Sequence, residues 1–240
     1  MCRDCSCGEL PTPAPTEAKV SAPAPPRRTL VLEAGLLAKN DHQAAHNRAR
    51  FADLGLTVVN VLSAPGSGKT ALLEQVSQRW TGGPVGVIVG DLATDNDARR
   101  LRRAGAEAVQ ITTGQGCHLE ATMVARALEQ LDPAALDLLL IENVGNLVCP
   151  TAFDLGEGLR LALTAVGEGE DKPLKYPGLF KSADAIVINK IDLAEAVGFH
   201  REEALANLSQ VAPQARIFEV SARTGEGLEP LLAWLAAKGQ

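Results

Sequence analysis

The chain has 240 residues, about 1.6 domains at roughly 150 residues each, which fits one large α/β domain with a tail as well as two small domains. Lys and Arg total 23 against 29 Asp and Glu, a formal charge of −6, and this argues against a nucleic-acid binder driven by phosphate neutralisation. Hydrophobic residues make up 46% but aromatics only 3%, so the core has to be aliphatic, as in buried parallel strands; no apolar run approaches the ~18 residues of a membrane span, and the N-terminus lacks an apolar signal core, so a soluble, cytoplasmic protein is expected.

The chain opens with Cys2, Cys5 and Cys7 inside six residues. Three thiols this close, with a backbone or amino nitrogen, suit a thiophilic divalent ion such as Ni²⁺ or Zn²⁺; the alternative is thiols that merely oxidise. Five cysteines without a secretion signal make a disulfide framework improbable. Residues 9–28 hold 6 of the 14 prolines and read as an extended, semi-rigid tether. The division that follows is a flexible tail with a metal motif over 1–28 and one domain over 29–240.

From Leu30 to about Asp53 helix formers place Leu32, Leu36 and Leu37 on one side, which predicts an amphipathic helix whose partner cannot be read. His42 and His46 are spaced i, i+4 and can clip a metal, but a solvated helix face explains them better. Beyond them, short aliphatic runs alternate with amphipathic stretches. Strands are expected over 57–62, 85–90, 108–112, 136–141, 159–166, 185–189 and 216–220, with helices starting near Gly68, Asp95, His118, Arg201 and Glu226. This rhythm predicts an α/β fold: a mostly parallel sheet with helices on both faces and ligands at the carboxyl ends of the strands.

After the first strand comes Ser63-Ala64-Pro65-Gly66-Ser67-Gly68-Lys69-Thr70, a P-loop pattern in which Ser63 occupies the first glycine position. Gly66, Ser67 and Gly68 let backbone N–H groups wrap phosphates, Lys69 supplies charge at the β/γ oxygens, and the Thr70 hydroxyl can ligate Mg²⁺. Asp91 and Glu142 close neighbouring strands and can complete the Mg²⁺ shell, directly or through water, with Asp95 and Asp97 as competitors and helix capping as the plain alternative for Asp95. Cys117-His118 and Cys149 sit in loops read as adjacent strand ends, so they can converge beside the phosphates as a three-ligand metal set; a buried Cys149 and a helix-capping His118 are the alternative. Asn189-Lys190-Ile191-Asp192 closes a strand, and the Asp192 carboxylate can accept two hydrogen bonds from guanine, which adenine does not offer, worth about 1.5–3 kcal/mol. Ser221-Ala222-Arg223 follows the last strand as a base-stacking loop, so GTP is expected over ATP.

Together the N-terminal C-x-x-C-x-C, the SxPGSGKT loop and the segments GDLATDNDA, TTGQGCHLEA, ENVGNLVCP, DKPLKYP and NKIDL resemble the HypB family of GTPases, which help insert nickel into nickel–iron hydrogenase. The resemblance covers residues 1–8 and nearly all of 30–240. It implies a SIMIBI-class P-loop GTPase that works as a nucleotide- or metal-dependent homodimer. It also implies Ni²⁺ at Cys2, Cys5 and Cys7, and a second Ni²⁺ or Zn²⁺ site at Cys117, His118 and Cys149 in the dimer interface. Lys175 would reach the nucleotide across the dimer. Implied partners are a nickel-insertion accessory protein and the hydrogenase large subunit. The tether lacks a histidine-rich stretch, so no storage role is expected.

On this reading GTP orders the loops at 91–97 and 142–149, and hydrolysis releases nickel. No Gln or Arg is evidently placed to speed hydrolysis, so intrinsic turnover is expected to be slow. Three other readings compete. A metallochaperone GTPase for urease or a cobalamin enzyme is disfavoured by the three-cysteine motif. A P-loop small-molecule kinase is disfavoured by Asn189 with Asp192. A pure storage protein leaves the P-loop without a role.

Overall fold

The computed structural model describes residues 27–91, 95–114 and 116–239, the first eight of these by backbone alone. Cys2, Cys5, Cys7 and nearly all of the tether lie outside the described residues. The seven strands are β1 (Thr57–Ser63), β2 (Val85–Asp91), β3 (Glu107–Thr112), β4 (Leu138–Glu142), β5 (Leu159–Ala165), β6 (Ala185–Asn189) and β7 (Arg216–Glu219). They pair in parallel in the order β3-β2-β4-β1-β5-β6-β7. All carboxyl ends therefore point the same way. The register sets Val61 and Val89 beside Glu142, and Ala165 beside Asn189, so the motif residues share one edge of the sheet.

Strand alternation builds the two faces. Leu138 and Leu140 of β4 pack with Val59, Val61, Val87 and Val89 under α2 (Lys69–Arg79), α3 (Asn96–Arg103) and α8 (Leu228–Lys238). Leu139 and Ile141 face the other way, toward Phe51 of α1 (Arg27–Asp53) and Val124 and Leu128 of α4 (Ala121–Leu128). Leu62, Ile186 and Ile188 continue that second layer beneath Phe180 of α6 (Pro177–Lys181) and Leu208 of α7 (Arg201–Val211). Because both faces are covered, inner strands such as β2, β4 and β6 are aliphatic along most of their length, while the edge strands β3 and β7 carry polar residues such as Glu107 and Arg216.

Several expectations need correction. The helix expected at His118 begins at Ala121, and the one expected at Glu226 begins at Leu228. β4 spans Leu138–Glu142 rather than 136–141. Arg27 and Arg28, assigned by composition to the tether, are helical in backbone. The short α5 (Lys172–Lys175), α6 and the 3₁₀ turns Cys149–Ala152, Val166–Glu168 and Ile191–Leu193 went unread. β3 and β4 are not neighbours, since β2 lies between them.

The largest surprise is α1. Leu36 is 62% exposed, and the buried stripe is instead Asn40, Ala44, Asn47 and Phe51. The reason is the partner. Asn40 Nδ2 donates to Asp154 O (2.7 Å) while its Oδ1 accepts from Ala121 N (2.9 Å), and Asn47 Nδ2 donates to Ala121 O (2.8 Å) and Leu155 O (2.9 Å). Half of this helix packs on loop backbone, whose buried polar groups require amide partners. Among the described residues no helix is long and apolar enough to cross a membrane.

Candidate functional site

The strand-to-helix turn between β1 and α2 is built on two glycines. Gly66 (φ 77°) and Gly68 (φ 98°) adopt left-handed backbone, and a Cβ on Gly68 would stand 2.5 Å from the Asn189 side chain. Gly68 caps α2 without a side-chain hydrogen bond, which leaves the first N–H groups of the helix for an anion. Above the turn lies a cavity of about 410 Å³, of a size suited to a small-molecule ligand, whose wall includes Gly66, Lys69, Thr70, Asp91, Asp97 and Glu142.

Lys69 is buried, and burial lowers its pKa against the raising influence of Glu142 and Asp97. Its Nζ donates to Ser63 Oγ at 3.0 Å. The serine in the first glycine position thus supplies a holding acceptor for the loop lysine, a role the motif pattern did not disclose. Thr70 Oγ1 donates to Glu142 Oε1 at 2.8 Å. Burial pushes the Glu142 carboxyl up to about 7, against the opposing pull of the Thr70 hydroxyl and Lys69, and its Oε2 is buried without a hydrogen-bond partner. A hydroxyl facing a carboxylate with a spare buried oxygen, with Asp91 and Asp97 on the same wall, is an oxygen donor set that fits Mg²⁺. Asp95 is turned aside into an ion pair with Arg99 (3.3 Å), and it makes no side-chain cap on α3.

Asn189 ties the floor together. Its Nδ2 donates to Ser67 O (2.9 Å), and its Oδ1 accepts from Ala222 N (3.0 Å), joining the phosphate turn to the Ser221-Ala222-Arg223 loop. Lys190, in left-handed backbone at φ 62°, donates from Nζ to Gly66 O at 2.7 Å. Such a conformation is strained for a non-glycine residue and clusters at ligand sites. Asp192 accepts from Ser221 Oγ (2.6 Å) and pairs with Arg223 at 3.6 Å. Lys175, by contrast, is 62% exposed, pairs with Asp171 (2.6 Å), and is not part of the cavity wall.

The second constellation is the thiol and imidazole group. The ligand atoms of Cys117, His118 and Cys149 all lie within 4.8 Å of one another, although the loops that carry them leave β3 and β4, which flank β2. Two devices bring this about. Asn146 Oδ1 accepts from Val148 N (2.8 Å) and Cys149 N (3.2 Å), winding the second loop into the 3₁₀ turn that starts at Cys149. Phe153, just past that turn, stacks on the His118 ring with centroids 3.7 Å apart. Burial lowers the His118 pKa, which favours the neutral, ligating form. The Cys149 thiol is raised by its hydrogen bond with Cys117 and by burial. Two sulfurs and one imidazole suit Zn²⁺ or Ni²⁺ and leave the remaining coordination position to water or another molecule. His42 and His46 meet edge-to-face at 4.7 Å on an exposed face and belong to no group of three ligands among the described residues.

Sequence reasoning missed four neighbours of these sites besides Ser63. Glu168 Oε1 accepts from Ser67 Oγ (2.5 Å) and Ala165 N (3.1 Å), bracing the phosphate turn from the β5 side; Glu168, Glu170 and Asp171 were indistinguishable as a run. Arg100 lines the cavity while held by Glu74 (2.6 Å) and Asp97 (3.5 Å), and it was one of four arginines in α3. Phe153 and Asn143 carried no spacing signal at all.

Residues 57–219 match the model of the CobW/HypB/UreG nucleotide-binding domain. A relative from Azotobacter vinelandii described as hydrogenase maturation factor HypB is 52% identical over 212 residues, covering 87% of this chain and 69% of its own. The structure of HypB from Helicobacter pylori in complex with nickel superposes with a TM-score of 0.80 at 42% identity, covering 84% of this chain and 95% of that one. The GDP complex of the signal recognition particle 54 kDa protein from Aeropyrum pernix, 19% identical with a TM-score of 0.53 over 76% of this chain and 48% of that one, shares the fold. With a P-loop, an N-K-x-D strand end and this likeness over most of its length, the chain is a P-loop GTPase and belongs to the HypB branch of the CobW/HypB/UreG family.

Proposed function

We propose that this protein is a nickel-binding GTPase of hydrogenase maturation that holds nickel at Cys117, His118 and Cys149 and releases it as GTP is hydrolysed. The observation that carries the reading is the meeting of the three ligand atoms within 4.8 Å, with Cys149 on the segment that continues from Glu142, Asn143, Val144 and Gly145 in the wall of the phosphate cavity. The described Helicobacter pylori relative, which binds nickel, supports the choice of metal.

Each residue then has a task. Gly66, Ser67 and Gly68 wrap the phosphates with backbone N–H groups, and Lys69 leaves Ser63 for the β/γ oxygens. Thr70, Asp91 and Glu142 would hold Mg²⁺, with Asp97 able to contribute through water; the ion would neutralise charge on the phosphates. Asp192 reads guanine, Asn189 and Lys190 shape the pocket beneath it, and Ser221, Ala222 and Arg223 border the base. Hydrolysis is intrinsically slow, because among the described residues no glutamine lines the cavity and Arg100 is engaged by Glu74. Cys2, Cys5 and Cys7 form a separate Ni²⁺ site on the 1–28 tail, and the internal set accepts Zn²⁺ as well as Ni²⁺. The protein acts in the cytoplasm as a homodimer, in which Lys175 serves the partner's nucleotide, and it hands nickel to an accessory protein and the hydrogenase large subunit.

Linkage makes the central claim testable: nickel must change GTP affinity by the factor by which GTP changes nickel affinity. Ni²⁺ titrations with GDP and with a non-hydrolysable GTP analogue are expected to differ severalfold. Equal affinities overturn the reading.

A further inference from the structure

Asn143 occupies the position where the two constellations meet. It follows Glu142 at the end of β4, lines the phosphate cavity with Val144 and Gly145, and is fully buried. Successive residues leaving a strand point to opposite faces, so Glu142 turns to Thr70 while Asn143 turns to the α1–α4 layer. There its Oδ1 accepts from Leu119 N at 3.2 Å, and also from Val144 N at 2.9 Å, while Nδ2 donates to Asn60 Oδ1 at 3.2 Å. Leu119 directly follows Cys117 and His118 and is itself fully buried, so water cannot replace Asn143 as the partner of that amide.

The same short segment governs the other ligand. Gly145 lies against the phosphate turn, since a Cβ there would stand 3.0 Å from Pro65 Cα, and Asn146 fixes Cys149 through the hydrogen bonds already described. A shift of residues 143–146 in response to a terminal phosphate must therefore move the acceptor of Leu119 N and the acceptor of Cys149 N together.

We infer that Asn143 is the positioning residue that carries the nucleotide state to the metal centre, by holding or releasing the Leu119 amide behind Cys117 and His118. This rests on the coupling proposed above and names the side chain through which it passes. Asn60 accepts from Asn143 Nδ2 and donates to Glu157 at 3.1 Å, but it lines neither the phosphate cavity nor the thiol group and leaves the Leu119 amide to Asn143 Oδ1, which makes it the control for loss of buried hydrogen bonding alone.

The test uses the full chain carrying Cys2→Ala, Cys5→Ala and Cys7→Ala, so that a Ni²⁺ titration reads the internal thiols alone. The readout is the ratio of Ni²⁺ dissociation constants with GDP and with a non-hydrolysable GTP analogue. In the otherwise native chain the ratio is expected to depart from one by about fivefold or more. Asn143→Ala is expected to bring it within twofold of one. Asn60→Ala is expected to lower the melting temperature and leave the ratio intact. A native ratio of one overturns the coupling and this inference with it; a native ratio above fivefold that survives in Asn143→Ala, or that collapses equally in Asn60→Ala, overturns this inference alone. Should Asn143→Ala fail to fold, amide exchange at Leu119 in the native sequence decides, with protection that differs between the two nucleotides expected and identical protection refuting the role.

Discussion

Replacing Glu142 with Gln should stabilise the nucleotide-free protein above neutral pH. Burial raises this carboxyl from 4.5 to about 7, and Oε2 has no hydrogen-bond partner to offset it. In the unfolded chain the group titrates near 4.5, so its contribution to stability is fully present below that value, declines as pH rises from 4.5, and is lost above about 7. The interval, 7 − 4.5, corresponds to about 3 kcal/mol in total, of which about 1 kcal/mol disappears between pH 6 and pH 8. For a chain of this size that is a melting-temperature loss of about 2–4 °C. Gln keeps an acceptor for Thr70 Oγ1 and carries no charge to desolvate. Thermal melts of both proteins at pH 6 and pH 8, without nucleotide, should therefore show a slope in the native protein that exceeds the variant's by that amount, every other titrating group being common to the two. Saturating Mg²⁺·GDP should flatten the native slope and leave the variant's unchanged. Identical slopes in the absence of nucleotide would refute the reasoning.

Glu168→Ala removes the acceptor that braces Ser67 Oγ and Ala165 N. Its KM for GTP should rise about tenfold with a smaller change in kcat, Glu168→Gln should recover most of the loss, and an unaltered KM would count against the brace. Asp192→Asn should shift nucleotide preference from GTP toward xanthosine triphosphate, as read by competition binding; unchanged GTP binding would show that Asp192 does not read the base. Metal affinity at the internal thiols should rise from pH 6 to pH 8, because the Cys149 thiol is raised and must lose its proton to ligate, and in the chain lacking the N-terminal thiols Cys149→Ala should make that slope shallower, the proton released by Cys117 remaining. A flat profile in the parent chain would exclude Cys149 as a ligand.

The sheet was legible because its inner strands, such as β2, β4 and β6, are buried on both faces and read as aliphatic runs. The phosphate turn was legible because the backbone there tolerates little but glycine. The face of α1 was not, because hydrophobic periodicity looks for leucines, whereas this helix packs on the backbone of two loops and answers them with Asn40 and Asn47. Ser63, Glu168 and Arg100 act through single hydrogen bonds or ion pairs between segments distant in the chain, and nothing in the spacing of residues encodes such a meeting. The order of strands was misjudged for a related reason. Alternation of strands and helices predicts a parallel sheet, but not which strand is inserted between which, so the closeness of Cys117 and Cys149 follows from the length and anchoring of their loops across β2 rather than from adjacent strands.

That anchoring bears on how large a nucleotide-driven change has to be. The segment with Cys117 and His118 begins at Thr113, whose N–H donates to Asp91 O (2.9 Å), and ends at Ala121, held by Asn40 and Asn47. The segment with Cys149 begins at Asn143, whose N–H donates to Val61 O (3.2 Å), and ends at Asp154 and Leu155, held by the same two asparagines. Both ligand-bearing spans are thus fixed at each end, and one helix secures both exits. Ligands bonded to a tetrahedral metal at about 2.3 Å stand about 3.7 Å apart. The three donor atoms lie within 4.8 Å of one another, so closure onto a metal needs a displacement of about 1 Å. Spans fixed at both ends can supply that much and little more. A terminal phosphate therefore needs to shift residues 143–146 only slightly to alter metal affinity, and a rearrangement of whole elements is not required for the two sites to sense each other.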